Sequence, residues 1–543
     1  HKSGCRKLFR EAGVDLPYGF EDLHTMEQII KSVRQFKKEK PSAKKLVLKL
    51  NDSFSGGGNA VLNLKDLKLI SAASIKKNLK LIDKDITVDE YLDDYCAQGG
   101  IIEEWIVAKG KSCPSVRVHI GPQEYAVKST HEQIFRDRSG QIYAGCSFPA
   151  DKKYRKQLTE AGLKTAKILS EKGIIRDFCI DFLAFKENGR YKVVAIEINL
   201  RKGGTTHPFE ITKRLTKGVY SEKDNELRAR GKRKYFYSND NIKDDVFKGL
   251  NPISVIHFAK TSGFAFDDKK KKGIFIHLIS ALPEFGKMGI TSIGDGPKDA
   301  KNNFFKFIEA FKKYIKKRNK LKILLLQTRN DPEGIQGEYE SFMYSSGLKP
   351  GQLVTMNLFK LPKLDKKILK GFDGMIMGGS SDYFVSDDLH FMDDLLEFTR
   401  YCFDNNFPCL GVCFGYQIMT IALGGEVGSL KKYSELGTRK VTKTKDGHKD
   451  KLFSTLPRKF YAQLGHRDSA TKLPAKAIKL ASSKACPYQA FTFKGKLFYG
   501  FQFHPESNRT SLIKRMIPVA SRYYVKKVKD LKKIIRNMKD SPD

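Results

Sequence analysis

No apolar run in the 543 residues reaches the length needed to span a bilayer, and no signal-peptide pattern stands at the start, so neither membrane insertion nor secretion is read from this sequence. Its nine cysteines lack paired Cys-x-x-Cys spacing. Their odd number and scatter argue against a disulfide framework and against a zinc site, and a reducing cytoplasm is the expected setting. Internal repeats and long low-complexity segments are also missing. Acidic residues are in deficit, with 61 Asp plus Glu against 100 Lys plus Arg and a formal charge of +39. Such an excess raises the question of nucleic acid. It is mostly lysine, however, spread in short clusters such as Lys269-Lys270-Lys271-Lys272 and Lys526-Lys527, without an arginine-rich, aromatic-interleaved stripe. The expectation is a solvated lysine surface that attracts anionic substrates, with no specific nucleic acid and no membrane as partner. There is no initial methionine, which reads as a fragment or processed chain. A length of 543 residues exceeds one core and suits two to four domains.

The most informative stretch is Pro408-Cys409-Leu410-Gly411-Val412-Cys413-Phe414-Gly415-Tyr416-Gln417. An apolar approach, a cysteine bracketed by glycines and a helix-compatible run together read as a strand turning sharply into a helix. A thiol at a helix N-terminus is favoured as thiolate and can attack an acyl carbon, whereas a buried structural cysteine is the alternative on this segment alone. About 90 residues downstream, Phe498-Tyr499-Gly500-Phe501-Gln502-Phe503-His504-Pro505-Glu506 is an apolar strand ending in a histidine and a glutamate. A cysteine, a histidine to take its proton and a carboxylate to orient the imidazole are the parts of a nucleophilic triad.

With both segments in view, the sequence from about Lys322 to about Arg509 resembles the class I glutamine amidotransferases. Asp373-Gly374-Met375-Ile376-Met377-Gly378-Gly379 is similar to that family's oxyanion strand, and Gly465-His466-Arg467-Asp468 to the loop before its last strands. The resemblance implies a flavodoxin-like domain with Cys413, His504 and Glu506 as the triad, the Gly379 and Phe414 amides as oxyanion donors, and Gln417 and His466 holding glutamine. Ser380-Ser381-Asp382-Tyr383, where many relatives continue with Pro or Gly, departs from the pattern at the pocket rim.

Ahead of this region the chain opens with a helix from Lys2 that Gly13 closes, then a strand, Leu46-Val47-Leu48-Lys49-Leu50. A glycine-rich loop, Asn51 to Ala60, follows. A lysine on a strand beside such a loop can cradle phosphates, and an ordinary turn is the other reading. Gly100 to Ile106 is a second strand carrying Glu103 and Glu104 beside Trp105. Asp177 to Phe185 and Tyr191 to Leu200 alternate around Glu187-Asn188-Gly189, the signature of a tight hairpin, and counting outward brings Asp181 close to opposite Glu197. Alternation puts Glu197 and Asn199 on one face and Ile196, Ile198 and Leu200 on the other. Two carboxylates and an amide oxygen suit magnesium better than zinc, and a polar solvent face is the alternative.

Arg201 follows these residues directly, and the run Glu197 to Pro208 resembles an ATP-grasp ligase, more narrowly the pheganomycin-type peptide ligases. The likeness extends over about residues 1 to 300 and includes Ser112 to Val116, Ser129 to Gln133, Tyr143 to Cys146, Phe275 to Leu278 and Gly286 to Gly289. It implies an ATP-grasp fold using ATP and Mg2+. By it, Lys2 and Lys49 approach the phosphates, Ser55, Gly56, Gly57 and Gly58 form a phosphate flap, and Glu103 and Glu104 lie at the adenine-ribose hinge. Asp181, Glu197 and Asn199 would hold magnesium and Arg201 would steady the transferred phosphoryl group. Relatives carry a further domain ahead of the position of Lys2.

Residues Tyr220 to Lys234 read as a charged connecting segment, and Asp299 to Ile315 as a helix. The expected division is an ATP-grasp domain over 1–315, a basic linker over 316–321, the amidotransferase domain over 322–515 and a helical tail over 516–543. Tyr524, Val528, Leu531, Ile535 and Met538 share one face of that tail, for docking onto the amidotransferase domain or, alternatively, for a short coiled coil. An α/β and α+β multidomain architecture follows. The function implied is a glutamine-dependent, ATP-driven amidoligase acting on a small carboxylate or peptide. An amino-acid or peptide ligase with an independent gamma-glutamyl hydrolase domain is the alternative, and a nucleic-acid-binding or regulatory protein retaining enzyme folds stands in another class.

Overall fold

The computed structural model describes residues 1–53, 57–67, 69–108, 110–135, 143–380, 382–429, 435–515 and 528–539, with the side chains of Asp66 and Val528 excepted. The chain divides into two compact units, His1–Phe311 and Lys312–Asp543. The division falls within the helix Pro297–Arg318, so Lys316, Lys317 and Arg318, expected as linker, form its last turn, where cations complement the carbonyl end of the helix. Among the described residues no helix is long and apolar enough to cross a membrane.

The first unit holds two sheets. A five-stranded antiparallel sheet runs in the order Gly19–Leu23, Gly100–Glu104, Lys45–Leu50, Asn59–Asn63, Leu79–Leu81. Its core is Val33, Phe36, Leu46, Leu48, Tyr91 and Tyr95, closed by helices Met26–Glu39 and Val88–Gln98. Each helix starts on a reciprocal capping box, Thr25 with Gln28 and Thr87 with Glu90, so local sequence fixes where both begin. A larger sheet is built on the hairpin Arg176–Glu187 and Arg190–Asn199, continued through Pro114–Ile120 and Tyr125–Phe135, with the amphipathic helix Arg155–Glu171 packed across it. The segment expected as a charged connection is instead a hairpin, Glu226–Ala229 with Lys232–Lys243. Its turn residues Arg230 and Gly231 both take positive φ, the tight-turn geometry that joins antiparallel strands, and the charges simply face water.

The second unit is a nine-stranded mixed sheet. Leu353–Asn357, Ile323–Gln327, Gly374–Met377, Cys409–Val412 and Phe498–Phe501 are parallel neighbours, and Ala490–Phe493, Ala477–Ser482, Glu435–Lys443 and Lys459–His466 continue it antiparallel. The central parallel strands read as unbroken apolar runs because helices cover both faces. Pro332–Ser346 is one of these helices, with Asp331 capping it and Pro332 in its first turn. The terminal helix Val528–Asn537 docks on this unit, with Leu531, Ile534 and Met538 packed on Leu436 and Leu512. Tyr524 lies outside the described residues.

Two glycines allow the turn after Cys409–Val412. A Cβ on Gly415 would lie 2.3 Å from the Met377 carbonyl oxygen, and one on Gly411 would lie 2.6 Å from the Gly415 backbone. Gly415→Ala is expected to destabilise the protein by about 1–3 kcal/mol through overpacking. An unchanged urea midpoint for this variant would contradict the close approach.

Candidate functional site

Open parallel sheets place ligands at the carboxyl ends of their strands, and three such ends meet in the second unit. Cys413 follows Cys409–Val412, Gly379 follows Gly374–Met377, and His504 follows Phe498–Phe501. Cys413 caps the helix Phe414–Ala422 with φ +52° and ψ −98°, a conformation that costs a non-glycine residue of order 1–3 kcal/mol and that turns the thiol out of the strand-helix elbow. A Cβ on Gly379 would sit 3.1 Å from His504 Cε1 and 3.7 Å from Cys413 Cβ, so the three are packed together. His504 Nδ1 lies 2.9 Å from Glu506 Oε1, and the Cys413, His504 and Glu506 side chains are all buried.

The electrostatics follow from that burial. Desolvation alone would push the His504 imidazole down, but the Glu506 carboxylate and Cys413 outweigh it and raise His504 from 6.5 to about 9. Glu506 is likewise pushed up by burial, and His504 and Arg515 overcome this to hold it well below the carboxylate range. Arg515 Nη1 donates to Glu506 at 3.0 Å and to Ser507 at 2.8 Å. Because the folded His504 value lies above the unfolded one, the stability it contributes is complete below about pH 6.5 and is lost as pH rises through about 9. The Tm of the protein is therefore expected to fall across that window, and His504→Gln to lose this part of the decline; superimposable profiles would overturn the assignment.

Around the thiol, Gly465 O lies 3.8 Å from Cys413 Sγ, and Gln502 Nε2 lies at the same distance. Phe414 contributes the first amide of its helix, which has no intrahelical acceptor. The Gly379 N–H donates at 3.1 Å to Glu338 Oε1, whose carboxylate also meets Arg329 Nη2 at 3.2 Å. Gln417 is buried and donates to Asp468 O at 2.8 Å. His466 differs from its expected place beside glutamine. Its side chain is enclosed and faces Glu435, 3.5 Å away, because residue 466 ends a strand paired with the one that Glu435 begins, and it is the neighbouring Gly465 carbonyl that meets the thiol.

In the first unit, a cleft of about 450 Å³ is lined by both sheets. Lys2, Lys49, Glu103, Glu104, Asp181, Glu197, Asn199 and Arg201 all reach it. Glu197 pairs with Asp181 and Asn199 with Cys179 across the hairpin, through an irregularity between Ala195 and Glu197. That bulge corrects the simple alternation, since Ile196 lines the cleft together with Glu197. Lys2 Nζ lies 2.5 Å from Glu197 Oε1, and Lys49 is held by Glu103, which also binds Arg6 at 3.1 Å. Glu103 thus orients the lysine from a buried position, while Glu104 is half-exposed. Asp181 accepts from Asn199 Nδ2 at 3.0 Å and from Gln133 Nε2 at 2.7 Å. Burial first, and then the neighbouring Glu197 carboxylate, raise Asp181 from 3.8 to about 7.

Two crowded carboxylates with an amide beside them are a donor set of hard oxygens that fits a magnesium ion. Gly58 sits at the base of its loop, its carbonyl accepting from Leu50 N and Tyr91 Oη, and Gly57 adjoins it; Ser55 and Gly56 lie outside the described residues. Sequence reasoning gave no role to Gln133, Arg329, Glu338 or Arg515. Gln133 sits on a polar position of an alternating strand, which is a signal, whereas the other three are long-range partners that no local pattern marks.

A model of class-I glutamine amidotransferases matches residues 345–518, and a model of IQCH-like ATP-grasp domains matches residues 1–87. The L-propargylglycine–L-glutamate ligase of Streptantibioticus cattleyicolor is 26% identical over 309 residues, covering 55% of this chain and 61% of that protein, so the chain spans about three fifths of the length of this relative. The glutaminase component of the glutamine-hydrolyzing GMP synthase of Thermoplasma acidophilum is 31% identical over 147 residues, covering 27% of the chain and 70% of that protein. Its counterpart from Archaeoglobus fulgidus is 34% identical over 140 residues, covering 25% and 68%. The chain belongs to the class-I glutamine amidotransferase family, with an ATP-grasp region homologous to that ligase preceding the amidotransferase domain.

Proposed function

We propose that this chain is a glutamine-dependent, ATP-driven carboxylate-amine ligase, cytoplasmic and acting on a small carboxylate or peptide. The observation that carries the reading is the buried Cys413, His504 and Glu506 array beside two backbone amides, in a chain whose other unit presents lysines and paired carboxylates to one cleft.

In the second unit, Cys413 attacks the side-chain amide carbon of glutamine. The tetrahedral oxyanion is met by the Phe414 amide and by that of Gly379 once its bond to Glu338 opens. His504, charged through its contact with Glu506, gives its proton to the departing ammonia and then takes one from the water that releases glutamate. In the first unit, Lys2, Lys49 and Arg201 neutralise the phosphoryl group as it passes to the substrate carboxylate, and Asp181, Glu197 and Asn199 hold the metal. Mg2+ bound there would supply charge neutralisation at the phosphate oxygens. Ammonia attacking the resulting acyl phosphate forms the amide and releases phosphate.

A second reading is favoured by the printed activity of the Streptantibioticus relative, which joins an amino acid to glutamate. In it the nucleophile is an amino acid, and the second unit cleaves a gamma-glutamyl bond independently. Amide-labelled glutamine, ATP, Mg2+ and a pool of candidate carboxylates separate the two by product mass. Label in a new primary amide supports the amidoligase, and addition of a whole amino acid without label overturns it. Tight, strongly salt-dependent binding of DNA or RNA without either reaction would favour a nucleic-acid or regulatory role.

A further inference from the structure

A second cluster of reactive side chains lies behind the thiol, distinct from Cys413, His504 and Glu506. Glu435 begins the strand Glu435–Lys443, His466 ends the paired strand Lys459–His466 directly opposite it, and Cys486 lies between Ala477–Ser482 and Ala490–Phe493. All three are buried, and one ligand atom from each lies within 4.8 Å of the other two. His466 is 2% exposed, and among the described residues neither of its ring nitrogens has a hydrogen-bond partner. That is an expensive condition for an imidazole, and Glu435 Oε2 at 3.5 Å does not relieve it.

We propose that Glu435, His466 and Cys486 bind a structural Zn2+ ion. Thiolate, imidazole and carboxylate are the donor types that zinc takes, and tetrahedral bonds of about 2.0–2.3 Å place such donors within reach of the separations seen. One thiolate and one carboxylate also neutralise the dication, so the occupied cluster buries no net charge. The outer contacts are in place. Ser483 Oγ donates to Glu435 Oε2 at 2.7 Å, Gln489 Nε2 reaches the same oxygen at 2.5 Å, and Ser469 Oγ lies 2.9 Å from Cys486 Sγ. Partners of this kind fix the orientation of metal ligands. The Ser469 hydroxyl or a water completes the fourth position.

The ion would pin the turn after His466. On one side of that residue Gly465 O faces the Cys413 thiol, and on the other Asp468 O accepts from Gln417. The spacing of the three ligands over some 50 residues, with one cysteine only, hides the site from motif reading and runs against the expectation that the cysteines make no zinc site.

The test uses Co2+ as the probe, added to the full chain carrying Cys413→Ala so that the other thiol of this region is silent. One equivalent is expected to bind with a sulfur-to-cobalt charge-transfer band, and Cys486→Ser in the same background is expected to remove the band. Absence of the band, or its persistence in Cys486→Ser, overturns the proposal. Should Cys486→Ser not fold, Glu435→Gln keeps an acceptor for Ser483 and Gln489. It is expected to weaken Co2+ by at least the about 10-fold that loss of an outer partner produces, and unchanged affinity overturns the site.

Discussion

Cys413→Ala is expected to lower glutamine hydrolysis by about 10⁴-fold or more while leaving ligation with added ammonium close to that of the parent. The magnitude follows from removing the nucleophile of a unit whose members act together, since the remaining groups can only bind and polarise the amide. The split between the two activities follows from the chain's division. Lys2, Lys49, Asp181, Glu197 and Arg201 all belong to the first unit, and none of them loses a partner when the thiol goes. Glutamate release and amide formation from ammonium, measured on the same preparation, check both halves of the expectation. Full glutamine-dependent activity in Cys413→Ala would sink the proposed role of the thiol, and loss of both activities would sink the separation.

The second large effect is expected in the cleft. Glu197→Gln removes a carboxylate from the crowded pair with Asp181 and also the anion that holds Lys2 at 2.5 Å. Loss of a metal-holding anion together with a displaced lysine is expected to lower ATP-dependent ligation by about 10³-fold, in line with the several kcal/mol that a metal ion contributes to phosphoryl transfer. Raising Mg2+ should restore part of this activity. Glutamine hydrolysis in the absence of ATP should be unchanged. Asn199→Ala, which removes a neutral ligand and a hydrogen bond to Asp181, should fall between Glu197→Gln and the parent. Wild-type ligation in Glu197→Gln would remove Glu197 from the proposed metal set.

Much of this arrangement was legible before any coordinates. The elbow at Cys413 could be read because its geometry depends on immediate neighbours: an apolar strand, two small residues and a helix-forming run, all within ten positions. The hairpin at Asn188-Gly189 was equally local. What could not be read are features set by distant parts of the chain. Nothing near Gly379 in sequence announces that Glu338, 41 residues earlier, accepts its amide proton. Nor does the loop around His466 reveal that strand pairing turns its ring toward Glu435. The basic residues 316–318 read as linker by composition, yet the amphipathic pattern begun at Pro297 continues through them and keeps them helical. Composition misled in the same way at Arg228 to Lys234, where exposed charge decorates a hairpin whose buried positions are Leu227, Ala229 and Lys234.

The bulge between Ala195 and Glu197 makes the ligand strand a counted object. On its turn side the second strand packs odd-numbered residues, Val193 and Ala195, into the core, and beyond the extra residue it packs an even one, Ile198, which leaves Glu197 and Asn199 to the cleft. Length is therefore not freely exchangeable along the hairpin. Residues gained or lost in the exposed turn at Glu187 to Arg190 change only how far the loop projects. Deleting one residue between Ala195 and Glu197 would restore regular pleating, slide everything after it by one place and present a purely apolar surface to the cleft, all without disturbing a single hydrophobic contact on the turn side. In the history of such a chain, that short interval is where an insertion or deletion could not be inherited with function intact.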